Sequence, residues 1–475
     1  MNMSIKNNLF WSATGRLVTT FVLAMSLILV SGCNDDDDSP SGPDQTIVEL
    51  AQGNSDLSSL VTALTKYPDL ITLLSGDGEF TVFAPTNDAF ADLLAAIGQT
   101  SINNVPEDVL KEILQYHVIA SGAVKSSQLT AGAVETANGE DITVSLTGGV
   151  KLNGTVNVAM ADIEASNGVV HVVDAVLVPP SIAPIVGTIV APAYFNKDFT
   201  TLIAAVKAAD PSVLELLLGN GPSDEGLTLF APTNAAFEAA GITTLPAQEV
   251  LDAVLKYHVL DGEVRAADLP SGKATIETLG GKFYLSNNGG SGVFINGKTQ
   301  VTATDIPGSN GVVHVINRTL MPPAKTIAGV ATDLSTASTP QFTQLVAALA
   351  RTSGQEVDLL AAVSNPNANL TVFAPTDAAF NALYDALDVN GINDIPLETL
   401  TAVLQHHVVD SRVFSTDLTN GAVGTLNGNV TINATNKTVT DGKGNVANLS
   451  TNAELLNVLA TNGVIHTIDK VLLPN

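Results

Sequence analysis

One ten-residue stretch occurs three times in this chain. Thr81–Phe90 reads Thr-Val-Phe-Ala-Pro-Thr-Asn-Asp-Ala-Phe, Thr228–Phe237 reads Thr-Leu-Phe-Ala-Pro-Thr-Asn-Ala-Ala-Phe, and Thr371–Phe380 reads Thr-Val-Phe-Ala-Pro-Thr-Asp-Ala-Ala-Phe. The prolines Pro85, Pro232 and Pro375 stand 147 and then 143 residues apart. A period of that length is a whole small domain copied in tandem, not a solenoid unit. Within each copy the branched and aromatic residues suit a buried strand. The proline removes a backbone donor and ends it. Thr86, Thr233 or Thr376 follows as a helix N-cap. Each copy therefore predicts a strand, a sharp corner and a helix whose Phe turns inward.

The rest of each repeat extends this pattern. Leu57, Leu60, Val61 and Leu64 recur at helical spacing before the first copy. Pro106-Glu107-Asp108 opens a later helix with acidic residues near its positive end. Beyond it, Ile142-Thr143-Val144 and Val156-Asn157-Val158 alternate between glycine-bearing turns, and Asn167-Gly168-Val169-Val170-His171 reads as a turn into a closing strand. Helices early and strands late predict an α+β fold, a small β-sandwich or wedge with packed helices, in domains at 45–180, 181–323 and 324–475. The linkers are short and carry prolines, so neighbouring domains are expected to touch or hold a limited angle.

Seven histidines are present, and six occupy two repeat-locked positions. His117, His258 and His407 end the later helix; His171, His314 and His466 lie in the closing strand; His406 is the seventh. Two chemistries compete for them. A metal site or catalytic base would need partners, yet no Cys, Asp or Glu stands beside these histidines at ligand spacing in every repeat. Asp174 and Asp469 follow by three residues, but the second repeat has Asn317 there. The flanking valines and isoleucines favour the other reading, apolar rings in the core whose nitrogens bond backbone groups. Neither a cofactor nor a metal is expected, and no hydrolase elbow, His-Glu-x-x-His or phosphate loop appears.

The N-terminus reads as an address. Lys6 and Arg16 precede an apolar run from Leu17 to Val30 that ends Val30-Ser31-Gly32-Cys33. A short apolar core with basic residues before it and small ones after it is a secretory signal, here residues 1–32. The ending resembles the lipobox of bacterial lipoproteins, which implies acylation of Cys33, the only cysteine, and a membrane anchor. Asn34 after it leans towards the outer membrane of a bacterial envelope. Residues 33–44 then carry Asp35–Asp38 with Pro and Gly, an extended tether rather than a preformed calcium cage. The net charge of −27 repels polyanions and argues against a nucleic-acid partner.

The three Phe-Ala-Pro-Thr stretches resemble the first signature of the fasciclin (FAS1) family, and Asn-Gly-Val-Val/Ile-His resembles its second. Tyr116-His117 and Tyr257-His258 match the Tyr-His motif between them, whereas the third repeat departs from it with His406-His407. The resemblance implies non-enzymatic, surface-anchored modules used in adhesion to cells, matrix proteins or polysaccharides. It points to Tyr116, His117, Tyr257 and His258 as contact residues for a partner. Pro85, Thr86, Pro232, Thr233, Pro375, Thr376, His171, His314, His407 and His466 are assigned structural roles. Aromatic residues are only 5% and the sole tryptophan is Trp11, which weighs against stacking-based sugar recognition. An envelope or biofilm spacer without a specific ligand is the alternative.

Overall fold

The computed structural model describes residues 43–287, 289 and 292–475. The leader, Cys33 and the aspartate run lie outside the described residues. Residues 43–475 form one compact unit, and none of its helices is long and apolar enough to cross a membrane.

The signature strand organises every repeat. Phe80–Pro85, Leu227–Pro232 and Leu370–Pro375 are buried at every position. Each pairs in parallel with the closing strand of its repeat, Gly168–Val173, Gly311–Ile316 or Gly463–Ile468. Each also pairs antiparallel with the short strand that follows the Tyr-His or His-His motif. Side chains alternate across a strand, so the signature strand feeds two cores. In the first repeat Phe80, Val82 and Ala84 face the helices. Phe83 faces the other way, among Tyr116, Ile142, Val144 and Leu152. Phe230 and Phe373 repeat that division. A strand covered on both faces reads as a continuous apolar run, and the Phe-Ala-Pro stretch is one.

The corner after the strand is set by the threonines. Thr86, Thr233 and Thr376 hold extended backbone, and their hydroxyls accept hydrogen bonds from the amides of Ala89, Ala236 and Ala379. The helices Asn87–Ala96, Asn234–Ala239 and Asp377–Leu387 follow, with Phe90, Phe237 and Phe380 buried. Thr233→Ala removes the cap and is expected to lower stability by ~1 kcal/mol. Urea denaturation of the variant checks this; an unchanged midpoint would show that the cap contributes nothing.

The strands form one seven-stranded mixed sheet in each of the first two repeats. The long strands Val156–Ala165 and Thr299–Gly308 carry two register shifts each, which bend them from the helix-covered half of the sheet into the second half. In the third repeat that strand is interrupted: Val446–Asn448 and Val458–Ala460 flank an extra loop. Two four-stranded sheets result.

The repeats are joined closely. Ile182, Ile185, Ile189, Val190, Tyr194 and Phe195 belong to the same core as Ile97, Val105 and Leu110 of the first repeat. Gln99 Nε2 donates to the Pro192 carbonyl at 3.1 Å. The first two repeats therefore share one helix-side core. The third keeps its own and touches the second through polar and aromatic contacts. Asn457 Nδ2 donates to the Gly297 carbonyl at 2.7 Å, and the Arg412 guanidinium lies 4.1 Å from the Tyr284 ring centre.

Candidate functional site

The two histidine positions are the chemically richest repeated feature, and the fold uses both nitrogens of each motif-locked ring. His117 caps the helix Glu107–Tyr116. Its Nδ1 lies 2.7 Å from the Ile113 carbonyl, while its Nε2 accepts the Leu177 amide at 2.8 Å. His258 does the same with Val254 and Leu320, and His407 with Val403 and Leu472. The carbonyl requires a proton on Nδ1 and the amide requires a lone pair on Nε2, so the network assigns one neutral tautomer. Burial pushes all three down to about 4, against the weaker raising effect of the carbonyl bond.

The closing-strand histidines adopt the opposite tautomer. His171 Nε2 donates to the Val124 carbonyl at 2.9 Å, and its Nδ1 accepts the Asp162 amide at 3.2 Å. His314 pairs likewise with Val264 and Asp305, and His466 with Val413 and Asn457. Their rings lie against Phe83, Phe230 and Phe373 at 5.6, 5.3 and 5.9 Å between centroids. Burial also pushes His466 down to about 4. With both nitrogens used by the backbone and the rings buried, these side chains tie loops to strands. Among the described residues no group of three His, Cys, Asp or Glu could hold a metal ion.

The four residues that the family resemblance nominates for partner contact are inside the protein. Tyr116 and Tyr257 are 0% exposed, and His117 and His258 are 2% exposed. The Tyr116 hydroxyl donates to the Asp141 carbonyl and accepts from Asn153 Nδ2; Tyr257 does so with Lys282 and Asn296. In this fold these side chains offer no surface to a partner. The third repeat replaces both members of the pair. His406 stands for the tyrosine, with Nδ1 2.6 Å from the Asn427 carbonyl. Thr440 follows Val439 in the ladder as Asn153 follows Leu152 and Asn296 follows Ile295, so it holds the place of the asparagine.

Two further repeated devices were missed in the sequence reading. Asn167, Asn310 and Asn462, the asparagines of the Asn-Gly signature, are buried clamps. Each accepts the amide that begins its domain, at Ile47, Ile189 or Ile327. Each donates to two carbonyls at the end of an early helix, such as Leu74 and Gly76 in the first repeat. The second device is a residue at positive φ in the stretch before the closing strand: Asp162, Asp305 and Asn457, at 64°, 60° and 53°. Its amide meets the closing-strand histidine. Its side chain accepts the amide of Ser126, Ala266 or Ser415. The signal for the clamp was the signature asparagine itself, read only as a turn residue.

The fasciclin domain profile matches residues 55–179, 197–322 and 340–474. The chain belongs to the fasciclin domain family. Among curated proteins it is similar to transforming growth factor-beta-induced protein ig-h3 of Sus scrofa, 29% identical over 90% of this chain and 57% of that protein. It is similar to human periostin, 28% identical over 90% of this chain and 47% of periostin. A single repeat's length is 46% identical to protein sll1483 of Synechocystis, over 28% of this chain and 74% of the relative. The chain thus spans about half the length of the long animal relatives that it matches.

Proposed function

We propose that this chain is a lipoprotein of a bacterial cell envelope, anchored through acylated Cys33 in the outer membrane, whose three fasciclin domains adhere to an extracellular protein or polysaccharide. The observation that carries this reading is the ordered threefold module, matched along 90% of the chain by longer proteins of the same family. The motif residues are interior, so the partner must meet the loops and outer strand faces on which the three domains differ. Linked modules raise avidity through effective concentration even when each contact is weak. Among the described residues no Phe, Tyr or Trp belongs to the strongly exposed large hydrophobic side chains. That favours polar or ionic contacts over sugar stacking. The spacer reading draws on the shared core of the first two domains, which makes them one stiff body.

Competition separates the two. Residues 43–475, added in excess, are expected to block attachment of cells carrying the full protein to one class of surface among matrix-coated, glycan-coated and bare ones. Cys33→Ser is expected to release the protein from the membrane fraction. Attachment unaffected on all three surfaces, by competitor and by gene deletion alike, would leave the spacer.

A further inference from the structure

A cleft of about 400 Å³ lies between the second and third domains, within the usual size range of a small-molecule site. Its charges are unevenly paired. Arg318 is bonded to Glu454, and Lys325 is bonded to Asp333 at 2.7 Å. Lys298 also lines the cleft, and its ammonium forms no ion pair or hydrogen bond with any described residue. Burial pushes Lys298 down to about 8, with Arg318 adding to that and Glu454 opposing it, so it remains mostly charged at pH 7. The half-buried ammonium keeps three unused donors, and Glu454, the carboxylate that acts on it, is already bonded to Arg318.

The sister domains show that this polarity is not part of the fold. Leu177, Leu320 and Leu472 are equivalent, because each donates its amide to the helix-capping histidine of its domain. The preceding residue is therefore Val176 in the first domain, Thr319 in the second and Val471 in the third, all buried. The Thr319 hydroxyl has no hydrogen-bond partner among the described residues, and Thr319 lines the cleft. Burying a hydroxyl without a bond is unfavourable, and two sisters avoid that cost with valine. One position earlier stand Ala175, Arg318 and Lys470. The second domain alone has a threonine in this wall, and Lys298 beside it in the cleft.

We propose that the cleft between the second and third domains binds a small carboxylate-bearing molecule, with its carboxylate on the Lys298 ammonium and Thr319 in the polar wall behind it. The site is independent of the adhesive surface, since it is an interdomain recess rather than an outer face.

Isothermal titration of the full chain with galacturonate, N-acetylglutamate and glucose tests it. At least one of the two carboxylates is expected to bind, and glucose is not. A response to both assigns recognition to the carboxylate; a response to one alone adds its own scaffold, sugar ring or amide. Loss of one charge-assisted contact corresponds to roughly tenfold or more, so K298M should weaken binding by about that factor, while K298R retains most of it. T319V, which installs the sister residue, should fold normally and weaken binding by a smaller factor. No heat with either carboxylate, or equal affinity in K298M and the parent, would overturn the proposal.

Discussion

Replacing Gly311 with alanine is expected to abolish the folded second domain. Gly311 opens the closing strand and pairs with Leu227 across the parallel ladder. A Cβ there would stand 1.9 Å from the Leu227 carbonyl oxygen and 2.7 Å from its nitrogen, at a φ of +145° that side chains rarely adopt. The obstruction is backbone on the central strand, so no rotamer change relieves it. The ladder must separate. A loss above ~5 kcal/mol follows, comparable with the whole stability of a typical domain. Gly168 and Gly463 meet the same wall, with contacts of 2.1 and 2.3 Å to Phe80 and Leu370 oxygens. Gly53, at the end of the helix Ile47–Gly53, has nothing within 4 Å. Gly53→Ala should be neutral or stabilise by up to ~1 kcal/mol. Near-ultraviolet circular dichroism and urea unfolding read both variants. A native-like G311A would disprove the close approach.

The second large effect is a loss of stability in mild acid. His117, His258, His407 and His466 are pushed down to about 4 by burial. In the unfolded chain they return to an ordinary value near ~6.5. Above that value neither state is protonated, and the stability is fully present. As pH falls from about 6.5 to about 4, the unfolded state takes up protons that the folded state refuses, so stability declines. Each histidine accounts for about 3 kcal/mol across the full window. Unfolding followed at pH 7, 6 and 5 should show a falling midpoint and proton uptake on unfolding at pH 5. A midpoint that stays level from pH 7 to 5 would mean that the rings are solvated.

Local chemistry made much of this fold legible in advance. Thr-Val-Phe, proline and threonine are signals that act within a few residues, and the strand, corner and capped helix appear where they point. The alternation in Ile142-Thr143-Val144 likewise became a strand with Ile142 and Val144 buried. What stayed hidden depends on distant partners. Nothing in the signature stretch tells which strand pairs with it, because its neighbour is about ninety residues away. Asn167 was visible as a turn residue, and it does sit in the turn between Ala165 and Gly168. Its side-chain bonds to Ile47 and Leu74 span 120 and 93 residues, and no local rule reaches that far. The short proline-bearing linker did suggest contact between neighbours, and the segment after Pro180 packs into the first domain's core. Tyr116 and Tyr257 were assigned outward by analogy, whereas their amphipathic rings lie among apolar side chains with the hydroxyl bonded to backbone.

The parallel pairing of first signature and last strand sets the order of events during synthesis. Gly168–Val173 lies inside its sheet, between Phe80–Pro85 and Val156–Ala165, and it is also the last strand of its domain to leave the ribosome. Until it arrives, Phe80–Pro85 has an open edge and Phe83 lacks the His171 ring that lies against it. Closure of each domain waits for its final dozen residues, so the half-made chain carries unpaired strand and exposed core three times in succession. Long-range pairing of this kind is slow to form, and an open strand edge invites association with other chains. A chain that crossed a membrane before closing would complete each domain only on the far side, one module after another, from the first domain onward.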